Sequence, residues 1–222
     1  HCWLLGRDVR ALEETAEGVR ARGGSARVAP VDLLDRPALA ALAAEVPALD
    51  GLVAAAGVAG DTPVDGDSDE AFDAVLAGNL TSAWNTARAF TPRMPSGGRV
   101  VFVSSVLGRF GVPRAAAYVA AKHGLIGLAK ALALELLPRG IVVNTAAPGW
   151  IDTEMARGRV AEIATQMGVG AAEARCRLEA QVPMGRFFHP EEVAVGIAWL
   201  LDPANTTQVG QCLHLDGGVL QD

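Results

Sequence analysis

The sequence predicts a doubly wound α/β fold: a parallel sheet covered by helices on both faces, in three layers. Three observations carry this. Short runs rich in Val, Ile and Leu alternate along the chain with longer segments of helical periodicity. The short runs are apolar throughout rather than alternating, as strands buried on both faces must be. The 222 residues, 50% of them hydrophobic, suffice for one α/β domain with a substantial core. One domain over residues 1–222 is therefore expected.

The strands are expected at 2–5, 26–31, 51–56, 99–104, 141–147 and 211–215, and the helices at 8–22, 36–44, 68–93, 116–137 and 190–201. Ser68 is placed to cap the helix that follows, with Ala71 at the third helical position and hence no capping box. Pro190 suits a first helical turn, and Glu191 and Glu192 complement the positive end of that helix dipole. Pro138 and Gly140 end the long helix before the strand at 141. Residues 153–183 form the one long segment between core elements. They are helical in pattern but interrupted by Gly158, Gly168 and Gly170, as a mobile lid would be.

A Rossmann-type fold opens with a strand and a glycine-rich turn that holds a pyrophosphate at a helix N-terminus. This sequence begins on what reads as the second strand. The first βα unit is expected to be absent, from a record truncated relative to a longer protein.

Composition excludes several roles. A formal net charge of −6 argues against nonspecific nucleic-acid binding. No apolar run is expected to reach the length of a membrane span. Cys2, Cys176 and Cys212 are odd in number and scattered, which fits a reduced cytoplasmic chain. His1, His123, His189 and His214 lack metal-ligand spacing, so no metal is expected.

The chemistry-bearing residues converge. Tyr118 and Lys122 stand four positions apart on one helix face, where an ammonium is expected to lower the pKa of the phenol. Ser105 lies at the carboxyl end of a strand, where open α/β sheets bind ligands, with Ser104 left to satisfy the backbone. With Ser105 thirteen positions before Tyr118, the set resembles the short-chain dehydrogenase/reductase family. Further matches follow in the family's order over essentially the whole chain: Asp32, Ala56-Gly57, Asn79-Leu80, the loop from Pro148-Gly149 to Thr153, and Asp216-Gly217-Gly218. The family's paired asparagines are replaced by Ala54 and Ala55.

The resemblance implies hydride transfer coupled to proton transfer. Tyr118 would be the acid/base, Ser105 would bond the carbonyl oxygen, Lys122 would tune the phenol and hold the nicotinamide ribose, and Asn79 would anchor a proton relay. Arg7, Asp32, Leu33, Ala55, Gly57, Pro148, Gly149, Ile151 and Thr153, with Tyr118 and Lys122, would bind the cofactor. Gly6 stands where an acidic residue would favour NAD, and Arg7 can pair a 2′-phosphate, so NADP is expected. Leu107, Phe110, Val112, Trp150 and Met155 would line the substrate pocket, and Met184 would flank it.

The region from Pro148 to Gly218 is similar to 3-oxoacyl and polyketide ketoreductases, with some likeness to hydroxybutyrate dehydrogenases. A carrier-linked or small ketone is the expected substrate. A hydroxy-acid dehydrogenase and a non-catalytic nucleotide-binding regulator are the alternatives. The family further implies a homotetramer packed through the helices at 68–93 and 116–137 and the last strand, with Ala129, Ala131 and Ala133 permitting close approach.

Overall fold

The computed structural model describes residues 1–221. Six parallel strands alternate with helices: β1 (Cys2–Gly6), α1 (Val9–Ala21), β2 (Ala26–Pro30), α2 (Arg36–Glu45), β3 (Gly51–Ala54), α3 (Asp69–Leu76), α4 (Ser82–Phe90), β4 (Arg99–Val103), α5 (Ala116–Leu136), β5 (Val142–Pro148), α6 (Glu154–Met167), α7 (Ala171–Glu179), α8 (Pro190–Leu201) and β6 (Cys212–Leu215). β1 pairs with β2 in one sheet, and β3-β4-β5-β6 form a second sheet in that order. β1 and β3 are not paired with each other.

The continuous apolarity of the central strands has the expected cause. Alternate residues of β4 enter opposite cores. Val100 and Phe102 pack with Leu125, Ala129, Leu132 and Leu136 of α5. Val101 points the other way, onto Leu200 and Ile197 of α8. Both faces are dry, so the strand is apolar from Val100 to Val103, while Arg99 at its start donates to the Pro203 carbonyl at 3.0 Å. Burying a ring such as that of Phe102, which is fully enclosed, contributes roughly 2–3 kcal/mol.

Several local expectations need correction. The segment expected as one helix over 68–93 is broken: a π-helical turn, Ala77–Thr81, separates α3 from α4, and a 3₁₀ turn, Thr91–Arg93, ends it. Ser68 stands at the N-cap of α3 without capping it, because its hydroxyl donates to the Pro63 carbonyl at 2.8 Å. Gly158 does not interrupt α6, whereas Gly168 ends it in the left-handed conformation and Gly170 precedes α7.

The run Ala116–Arg139 is, after all, long and apolar enough to cross a membrane by length and composition. Its apolarity is that of a core helix, with nine of its residues buried, most of them against the sheet. Ala129 and Ala133 belong to that core, each 1% exposed, so they cannot serve a contact between subunits; Ala131 is exposed. Glu192 accepts a bond from the His189 backbone N–H at 2.8 Å, tightening the α8 start beyond what Pro190 alone provides. The three cysteines are free.

Candidate active site

Most of the residues singled out for chemistry follow the carboxyl ends of the strands. Arg7 follows β1, Asp32 and Leu33 follow β2, Ala55 and Gly57 follow β3, Ser105 follows β4, and Pro148 ends β5 with Gly149, Ile151 and Thr153 beyond it. A parallel arrangement forces this convergence, because each crossover returns the chain to the same end of the sheet.

Tyr118 sits in the first turn of α5, the single tyrosine of the sequence, and the Ser105 hydroxyl lies close enough to its phenol to lower the phenol pKa. Ser105 also accepts from the Leu107 N–H at 3.1 Å, which fixes its rotamer. Ser104 is structural but does not serve the strand end as expected: its buried hydroxyl donates to the Lys122 carbonyl at 2.8 Å, tying α5 to β4.

Lys122 is 4% exposed, and its ammonium donates to the Val103 carbonyl at 3.0 Å, 5.3 Å from the centre of the Tyr118 ring. Burial lowers its pKa to about 8. The expected depression of the phenol pKa is not what this geometry produces. Burial raises the Tyr118 pKa above its usual value, and the Ser105 hydrogen bond opposes that rise. The ammonium is held beside the strand carbonyl rather than at the phenol oxygen.

Asn79 explains the π turn. The extra residue in that turn re-aims its side chain, as such bulges do at functional positions. Its amide donates to the Val58 carbonyl at 2.7 Å and to the Val75 carbonyl at 2.8 Å. These bonds fix which end of the amide is oxygen. The Oδ1 atom is buried and has no partner. A Cβ added at Gly57 would stand 2.6 Å from Oδ1 and 3.6 Å from the Lys122 Nζ. An unpaired acceptor and a buried cation therefore flank the same glycine, which must lack a side chain. Asn79 thus has both the structural partners of a buried helix amide and a free acceptor at the site.

Other positions are more committed than sequence reasoning expected. The Asp32 carboxylate accepts from the Leu34 N–H at 2.9 Å, and the Leu33 carbonyl accepts from Asn85 at 3.1 Å. The Thr153 hydroxyl caps α6 by accepting from Ala156 N–H at 3.3 Å. Gly149 lies against Asp216, whose carboxylate accepts from Gly218 and Leu220 N–H groups at 2.9 and 3.0 Å. The Asp-Gly-Gly signature is thereby a brace for the Pro-Gly loop. Arg7 is exposed, and the neighbouring acid, Asp8, caps α1 by accepting from Ala11 N–H at 3.1 Å.

Among the pocket candidates, Leu107 and Phe110 are partly buried beside Ser105, Val112 is 36% exposed, and Met155 and Met184 are exposed. Trp150 stacks on Phe187 at 4.9 Å within the core formed by α6 and α7, so its ring is largely occupied by packing.

Comparison with known proteins places the whole chain beside oxidoreductases. A family model described as Enoyl-(Acyl carrier protein) reductase matches residues 2–220. An actinorhodin polyketide ketoreductase solved with NADPH superposes with a TM-score of 0.90 at 35% identity, over 98% of this chain and 86% of that one.

The chain belongs to the short-chain dehydrogenase/reductase family.

Curated relatives of this oxidoreductase family include the 3-oxoacyl-(acyl-carrier-protein) reductase FabG of Vibrio cholerae, 35% identical over 82% of this chain and 70% of its own length. The corresponding FabG of Salmonella typhimurium is 34% identical over 79% of the chain and 68% of its own length. In this chain Ser105, Tyr118, Lys122 and Asn79 stand near the carboxyl ends of β3 and β4.

Two features were beyond sequence reasoning. Thr62, from the loop after β3, accepts at Oγ1 from the Ala117 N–H at 3.2 Å, and so caps α5 across 55 residues. Asp61 beside it bonds Arg114 and Arg159. Neither pairing has a local spacing that could reveal it.

Proposed function

We propose that this chain reduces the ketone of a 3-oxoacyl or polyketide-type substrate, carried on an acyl carrier or presented as a small thioester, with NADPH as the reductant. The observation that carries this is the juxtaposition of the Ser105 hydroxyl, just past the carboxyl end of β4, with the phenol of Tyr118 in the first turn of α5. Two hydroxyls held together there form a site for one carbonyl oxygen.

The fit of the cofactor rests on three features: Gly57 without room for a Cβ, the unpaired Asn79 acceptor, and Arg7 exposed beside a carboxylate already committed to helix capping. Hydride is the chemistry that NADPH supplies when bound. Arg7 would hold its 2′-phosphate, Asp32 and Leu33 its adenine, Ala55 and Gly57 its ribose, and Pro148, Gly149, Ile151 and Thr153 its nicotinamide end.

Tyr118 donates its proton to the developing alkoxide, and a phenol whose pKa is raised remains protonated for this task at neutral pH. Ser105 donates to the same oxygen as negative charge grows on it. Lys122 offers a buried cation that can re-supply the phenol, with Asn79 Oδ1 positioned beside it across Gly57. Residues 153–183, folded as α6 and α7, act as the lid, and Leu107, Phe110, Val112 and Met155 line the mouth. The exposed apolar side chains Leu134 on α5 and Val195 and Trp199 on α8, 74%, 72% and 46% exposed, suit burial between subunits of a homotetramer.

The test is NADPH oxidation with a 3-oxoacyl thioester. Tyr118→Phe should lower kcat by about a thousandfold, within the range for a lost general acid with its hydrogen bond, while NADPH binding persists. Unchanged turnover in that variant would overturn the mechanism.

A further inference from the structure

Outside the four catalytic side chains, one polar cluster joins three separate segments at the mouth of the site. Asp61 lies on the loop after β3, Arg114 immediately precedes α5, and Arg159 lies on α6. The Arg114 Nε donates to both Asp61 oxygens, at 2.9 and 3.2 Å, and its terminal nitrogen bonds Oδ2 as well. Arg159 donates to Asp61 Oδ1 at 3.5 Å and to Glu162 at 2.8 Å, one turn further along α6. The side chains of Asp61 and Arg159 are 27% and 19% exposed, so water screens this pair less than an ordinary surface ion pair.

The backbone supports the same junction. Thr62 N–H donates to the Arg114 carbonyl at 2.7 Å, and Arg114 has φ +62°, the one positive value at a non-glycine among the described residues. Such a conformation disfavours a residue with a Cβ and persists only where the surroundings impose it. Thr62 then caps α5. Loop 61–62 is therefore attached firmly to the helix that carries Tyr118, and the Asp61 carboxylate reaches from it to α6.

We propose that Asp61 is a positioning residue for the reaction: its carboxylate fastens α6 to the loop in front of Tyr118 and holds the lid over a bound thioester. The inference rests on the ketoreductase reading only for the identity of what lies beneath the lid. Replacing Asp61 by Asn removes the charge that two guanidinium groups share and leaves them facing each other. The lid then closes less often, and the effect falls on substrate capture rather than on proton transfer.

The experiment compares Asp61→Asn, Asp61→Glu, Arg159→Gln and Glu162→Gln by hydrogen exchange of the α6 amides and by steady-state reduction of a 3-oxoacyl thioester. Asp61→Asn should raise exchange in residues 154–167 and raise KM, each by about fivefold to tenfold, with kcat within about twofold, as expected for loss of a partly buried charge-assisted bond. Arg159→Gln should reproduce both effects, the double variant should be no worse than either single one, and Asp61→Glu should recover most of the loss. Glu162→Gln should leave KM near that of the parent chain. Unchanged α6 exchange in Asp61→Asn would overturn the proposal, as would loss of kcat with unchanged KM. A chain that reduces no thioester at all would sink the functional reading, and the exchange measurement would still decide the fastening.

Discussion

Thr62 caps the helix that carries Tyr118, its hydroxyl accepting from the Ala117 N–H at 3.2 Å. Ala115, at the N-cap of α5, has no side chain able to cap, so the orphan donor is satisfied from a loop far away in sequence. Thr62 is 3% exposed, and Thr62→Val should destabilise the protein by about 1–2 kcal/mol, as lost caps do. Thermal melting should show a fall of roughly 2–8 °C for a chain of this size. Thr62→Ser should retain most of the stability.

Lys122 is a stability liability at a position proposed for catalysis. Its pKa falls from 10.5 to about 8 because burial penalises the charged form. The unfolded chain therefore holds this proton more tightly than the native one. The penalty is present in full below about pH 8, and this group's contribution to stability improves as pH rises from there toward the unfolded value. Lys122→Met should stabilise the cofactor-free protein at pH 7 by about 1–3 kcal/mol while removing activity. Denaturant unfolding at pH 7 and pH 9.5 checks both sign and window: the variant's advantage should shrink at the higher pH.

The pH dependence of catalysis follows from the same burial. In the free enzyme, kcat/KM for ketone reduction should decline above about pH 8, as Lys122 loses its proton, and Lys122→Arg should move that limb to higher pH. Because Tyr118 is the single tyrosine, its tyrosinate absorbance can be titrated alone. Its midpoint should lie above the usual value of 10.0 in the cofactor-free protein. A midpoint below that value would mean that the Lys122 charge outweighs burial.

Cofactor choice should depend on Arg7. β1 ends on Gly6, not on an acidic residue, and the exposed Arg7 follows it, placed to pair a 2′-phosphate. Arg7→Ala should raise KM for NADPH by about tenfold, the scale of one charge-assisted contact, and leave NADH use within about twofold. Equal losses with both cofactors would assign Arg7 a merely structural role.

The sequence by itself determined the alternation of strands and helices, the parallel sheet, and the positions proposed for catalysis. These depend on local signals: unbroken apolarity where both strand faces are buried, the four-residue spacing of Tyr118 and Lys122, and Ser105 at a strand end. Only the tertiary structure decided the electrostatics and the long-range ties. It set Lys122 against the Val103 carbonyl and raised the Tyr118 pKa, because burial depends on what packs above a helix. It turned Asn79 inward through a π turn and engaged Trp150 with Phe187. It brought Thr62 to Ala117 and Asp61 to Arg159 across distances at which sequence spacing carries no information, since such contacts exist only once the loops have been placed by the sheet.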